Sequence, residues 1–177
     1  VSQGVSLRGS HGVSQRLKDG FEIAIKMEQA GDLVLRLTAF LGAVGFSNVT
    51  VVTGGVPEIP RGWQDADFRL IVAKCRTDVR FLYSGCLRAV GSDLPAFMPQ
   101  RHANGRRMAE EERCVFLAEK YPVHFGIVDA WMAGDGSRGR HPNATHTLMA
   151  SRNILALDWV VGEKMNVDPA FNDIVHA

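Results

Sequence analysis

A chain of 177 residues with 20 Lys and Arg against 19 Asp and Glu carries a formal charge of +1, which gives no global field for nucleic acid or an anionic membrane. At 46% hydrophobic and 22% charged residues, the composition is that of an ordinary globular domain long enough to bury a core. The longest apolar runs, such as ILALDWVV at 154–161, are too short to span a membrane and contain Asp158.

Cysteine usage points the same way. Cys75, Cys86 and Cys114 are widely spaced and odd in number, so neither a disulfide framework nor a zinc or iron–sulfur motif is expected. Buried thiols in a reducing, cytoplasmic setting are the expectation. No basic-then-apolar leader opens the chain, and a first residue of Val1 rather than Met reads as the start of a fragment.

Residues 1–20 mix Gly, Ser and scattered charge without a period and read as a loose arm; 21–177 read as a single α/β domain. FEIAIKM at 21–27 alternates as a strand. Gly31-Asp32 then opens a helix with Asp32 as N-cap, an apolar face at Leu33, Leu37, Phe40, Leu41 and Val44, and Gly45 as C-cap. NVTVVT at 48–53 is a second strand, so this unit has the form of a parallel strand–helix–strand crossover.

The Gly- and Pro-rich stretch 54–65 reads as a surface loop, and Gly54-Gly55 fits either an anion cradle or a plain turn. DFRLIVAK at 67–74 is a third strand ending at Lys74, and 79–90 is expected to be helical with Gly91 as its stop. A basic cluster at Arg101, His102, Arg106 and Arg107 lies in the next loop and fits a solvated or acid-paired segment. The glutamate-led stretch 108–120 suits a helix N-terminus, and Pro122 ends it. Strands follow at 123–129 and 145–150, then a helix capped by Ser151-Arg152-Asn153 with an apolar face at Ile154, Leu157, Val160, Val161 and Met165. The alternation predicts an α/β fold: a mainly parallel sheet of about five strands with helices packed on it.

Polar residues capable of chemistry concentrate in 124–164. Asp129 ends an apolar strand, and Asp135 follows between Gly134 and Gly136. Ligands of open α/β sheets bind beyond the strand carboxyl ends, and the glycines let backbone approach a ligand closely. Two carboxylates there fit a divalent cation or an acid/base pair, or simply a turn in which each caps backbone. Lys74 is placed on the same rim, either neutralising substrate charge or in a salt bridge with Asp78 or Asp129. Arg76, Thr77, Arg152 and Asn153 are candidate anion contacts, the last two at a helix N-terminus. Asp158, apolar on its helical neighbours, is expected to be buried, and so paired, hydrogen-bonded or protonated: it either reaches the site near Asp129 and Asp135, or hydrogen-bonds loop amides or pairs with an Arg and fixes the loop. His124, His141 and His146 lack a helical metal spacing and would make a metal site only by converging in space.

Several motifs in order carry a family resemblance. ADFRLIVAK with Thr77, then LYSGCLRAVGSDLP, PVHFGIVDAW, GDG, HPNAT and ASRNILALDWVVGEKMNVDP together resemble the family called domain of unknown function 362, over residues 21–169. The resemblance implies an α/β fold with no established common activity; some members append a ferredoxin-like iron–sulfur module, for which this chain has no motif. Members usually show Lys-Thr-His after the third strand, where this chain reads Arg76-Thr77-Asp78. If that histidine is a ligand or base in relatives, the function here is lost or altered. The Asp129, Gly134-Asp135-Gly136 and Asp158 pattern is kept.

The resulting expectation is a metal-assisted or acid/base enzyme acting on a small anionic substrate. Asp129, Asp135 and Lys74 would be catalytic, Asp129 and Asp135 would hold any divalent cation, and Asp158, Gly134 and Gly136 would order the loop. The rivals are a non-catalytic binding domain for a small molecule or metal, and a divergent structural domain.

Overall fold

Five strands lie side by side in the computed structural model: β1 (Glu22–Met27), β2 (Asn48–Val52), β3 (Phe68–Asp78), β5 (Phe125–Gly134) and β6 (Asn143–Ser151), in the order β2-β1-β3-β5-β6. A sixth, β4 (Leu82–Ser84), pairs antiparallel with the end of β3. The described residues are 22–27, 31–52, 59–91, 109–134 and 141–176. The expectations for the arm at 1–20, Gly54-Gly55, the cluster of Arg101, His102, Arg106 and Arg107, and for Asp135 and Gly136 lie outside them.

The fold is mixed α/β with a mostly parallel sheet, as the alternating pattern predicts. β1 runs parallel to β2 and β3, and β3 parallel to β5, while β6 returns antiparallel along β5. The chain moves from β1 to β2 on one side and then to β3 on the other, so the strand order reverses between β1 and β3.

Helices cover the two faces unequally. On one face, α1 (Gly31–Ala43) packs Leu33, Val34, Leu37 and Leu41 onto Ile23, Ile25, Leu70 and Val72. That stripe is narrower than the sequence suggests: Phe40 and Val44 are exposed, and Asp32 lies in the first turn rather than at the cap. Gly45 has φ 100°, and the Phe46 amide donates to the Leu41 carbonyl, closing the helix in the left-handed conformation that glycine tolerates. The other face carries α3 (Cys86–Gly91), α4 (Glu110–Lys120) and α5 (Ile154–Lys164), over a core that includes Ile71, Ala73, Val128, Leu157 and Val161. A 3-10 turn (Pro169–Phe171) and α6 (Asp173–His176) close the chain.

Three local expectations are corrected. The stretch read as a surface loop includes α2 (Arg61–Gln64), whose Trp63 is buried beside Ile59 and whose carbonyl accepts from Arg69 Nε at 2.7 Å. Residues 79–90 are not one helix. Asp78 Oδ1 accepts from the amides of Arg80 at 2.8 Å and Phe81 at 3.1 Å, and this turn folds β4 back on β3 before α3 begins. A side chain that satisfies the backbone in a turn outcompetes helix continuation there. Finally, β3 does not stop at Lys74 but runs on through Arg76, Thr77 and Asp78, with a register irregularity between Lys74 and Arg76.

Candidate functional site

Pairing of β3 with β5 sets Lys74 beside Asp129, and pairing of β5 with β6 sets Asp129 beside Leu148. Cross-strand partners point to the same face, so these three form one row on the α1 side. Lys74 Nζ donates to Asp129 Oδ2 at 2.9 Å, with side-chain exposures of 21% and 15%. Asp129 Oδ1 accepts from the Trp131 amide at 2.9 Å, so both carboxylate oxygens are engaged.

This pair lines a cleft of about 470 Å³. Asp32, Leu33 and Arg36 from the first turns of α1 form one wall, and Trp131, Met132 and Leu148 the other. The cleft lies at the carboxyl side of the strands, beside the point where strand order reverses, which is where open α/β sheets place ligands.

The sheet separates residues that the sequence groups together. Thr77 and Gly134 line a different cavity of about 240 Å³, on the α5 side, with Cys75, His141, Thr145 and Lys164. Cys75 and Thr77 alternate with Lys74, so one strand end feeds both faces. Arg76 is 6% exposed, its backbone paired with Ser84 and Gly134. Arg152 and Asn153 are at the opposite end of the sheet: β6 runs antiparallel to β5, so Ser151 pairs with Gly126 near the start of β5. There the Asn153 side chain caps α5 by accepting from the Ala156 amide at 3.0 Å.

The histidines do not converge. His124 stacks on Phe68, and its Nδ1 accepts from the Arg69 amide at 2.9 Å; burial, then Arg69 and Arg152, hold it below its usual pKa. His146 stands T-shaped to Trp131, and His141 lines the other cavity. Among the described residues, no group of three or more His, Cys, Asp or Glu side chains is arranged to hold a metal ion. At Asp129 a lysine ammonium already takes the place that a cation would need, which removes the geometric support for that ligand assignment.

Asp158 belongs to a separate construction. It is buried in α5, where its oxygens accept from the amides of Cys86 at 2.7 Å and Leu87 at 2.8 Å. It therefore caps the short helix α3 from across the core. Burial pushes its carboxyl up to about 7, while the Leu87 and Cys86 amides work in the opposite direction by favouring the charged form. A Cβ on Gly85 would collide with the Asp158 carboxylate, so glycine permits the approach. The same carboxylate adds to the effect of burial in raising the Tyr83 phenol. Asp158 makes no contribution to the lining of the cleft at Lys74 and Asp129.

All three cysteines are buried free thiols, and burial pushes Cys75 up to about 11 against the opposing pull of Lys74. That leaves it protonated and weakly nucleophilic at neutral pH. Arg36, Trp131, Met132 and Leu148 were invisible as site residues in the sequence. Only Arg36 left a signal, four residues after Asp32 and thus on the same helical face.

Comparison with models of known protein families gives no match, and comparisons with curated proteins and with solved structures give none either. Among the described residues, no helix is long and apolar enough to cross a membrane.

Proposed function

We propose that the cleft over Lys74 and Asp129 binds a small anionic molecule and that this pair exchanges a proton with it. The observation that carries this reading is a sparsely exposed lysine–aspartate pair on the floor of a cleft beside the strand-order reversal. The ammonium supplies a counter-charge and can give a proton to the bound molecule, and the Asp129 carboxylate, 2.9 Å from it, is the group that can take one. Arg36 on the facing wall adds a second cation. A divalent cation at Asp129 is not part of this reading, since Lys74 holds that carboxylate.

A non-catalytic binding domain is the second reading. It is favoured by the saturation of Asp129, whose two oxygens already accept hydrogen bonds. Thermal shift with a panel of small phosphates and carboxylates tests the site, and Lys74→Met should strongly weaken stabilisation by any anion that binds. An equal response in variant and wild type would sink the assignment. Asp129→Asn then separates the readings. It frees the ammonium and should tighten anion binding several-fold in both, but a proton-transfer enzyme loses turnover of the bound compound.

A further inference from the structure

The cleft is built in two halves of opposite character. Across the sheet, the row Lys74, Asp129, Leu148 passes from charge to hydrocarbon in three adjacent strands. Regular alternation would send Trp131 and Met132 to opposite faces, yet both line this cleft. The register of β5 against β6 is irregular between Ala130 and Met132, and such bulges re-aim a side chain beside a site. Trp131, Met132 and Leu148 are 53%, 39% and 55% exposed, an apolar wall beside a charged one that carries Lys74 and Arg36 together with Asp129 and Asp32.

The tryptophan is also held in place. His146, at φ 50°, has a backbone conformation uncommon for residues other than glycine, and its ring stands T-shaped to the indole with centroids 4.7 Å apart. The Trp131 amide is anchored on Asp129. Opposite, Arg36 stands one helical turn from Asp32 on the same wall and makes no ion pair among the described residues.

From this juxtaposition we infer that the ligand is an amphipathic anion: a planar aromatic body lies against Trp131 and Leu148, and its anionic group faces Lys74 and Arg36. The inference rests on the anion-binding reading above and adds the ligand class. A compact inorganic anion would leave the apolar wall wet, whereas a ring on the indole face covers it without loss of hydrogen bonds. The cleft volume of about 470 Å³ suits a body of one or two rings with its charged group.

Three probes that share parts test it: naphthoate (ring and charge), acetate (charge alone) and naphthalenemethanol (ring alone). Binding is followed by NMR shifts of the Trp131 indole and of backbone amides around Lys74. Naphthoate should bind about tenfold or more tighter than either partial probe. Trp131→Ala should reduce naphthoate to the level of acetate and leave acetate unchanged, while Trp131→Phe keeps most of the advantage. Lys74→Met should weaken both carboxylates and spare naphthalenemethanol. Melting curves confirm that each variant is folded. Undiminished naphthoate binding in Trp131→Ala overturns the ligand class, even if Lys74→Met still abolishes acetate binding. Naphthalenemethanol binding as tightly as naphthoate overturns it too, since charge would then play no part. Indifference of both carboxylates to Lys74→Met removes the anion site itself.

Discussion

Asp129 and Asp158 are both carboxylates set among apolar residues, yet the fold gives them opposite tasks. Asp129 lies at the floor of an open cleft, balanced by an ammonium and one amide. Asp158 is sealed in the core, where no cation among the described residues is paired with it and two amides at the start of α3 donate to its oxygens. A partly solvated pair can exchange protons and partners at little cost. A sealed carboxylate holds two helices together, and its charge is disfavoured by burial. The contrast separates a candidate site from a structural clasp, which the sequence had placed in one cluster.

The strongest way to break this contrast is to remove the clasp. Asp158→Ala strands the Cys86 and Leu87 amides in the core and should cost about 3 kcal/mol. That corresponds to a fall in Tm of roughly 6–12 °C for a domain of this size, read by calorimetry. An unchanged Tm would remove Asp158 from its structural role. Gly85→Ala drives a methyl group into the same carboxylate and should cost about 2 kcal/mol, with little further loss when combined with Asp158→Ala, because both act on one contact.

The pH dependence of stability comes next. With its carboxyl raised from 3.8 to about 7, folded Asp158 keeps a proton that the unfolded chain releases. Its contribution is therefore complete below pH 3.8 and is lost as pH rises through about 7. Urea unfolding of wild type and Asp158→Asn at pH 5 and pH 8 isolates it. The asparagine variant should gain roughly 1–3 kcal/mol on wild type over that interval, and a constant difference would mean that the buried carboxyl titrates normally.

The smallest stability effect belongs to the cleft. Lys74→Met should change folding free energy by about 1 kcal/mol or less, because the pair is partly exposed and the new side chain can pack on Leu33 and Leu148. The same variant should strongly weaken anion binding. A large loss of stability with binding intact would reverse the roles of the two regions.

Much of the architecture was legible in local patterns. The β-branched run at 48–52, the stripe on α1, Gly45 at its end and Asn153 at the start of α5 each depend on neighbours within a few residues, so composition, period and capping chemistry were enough to locate them. The turn at Asp78 was a local signal too, but the helical spacing of 79–90 obscured it. The burial of Trp63 left no such trace, because it depends on a side chain from β3, Arg69, reaching the carbonyls of α2.

For the site, sequence determined that Lys74 and Asp129 end apolar segments and that Asp158 needs a partner. It could not determine which partners they find, because strand register decides that. Lys74 and Asp129 are 55 residues apart, and Asp158 and Cys86 are 72 apart. One residue of slip in either strand would turn Lys74 or Asp129 to the other face. The tertiary structure selected the register through burial of Leu70, Val72 and Ile127 under α1, and that selection divided one polar cluster into a cleft, a clasp and a cap at the far end of the sheet.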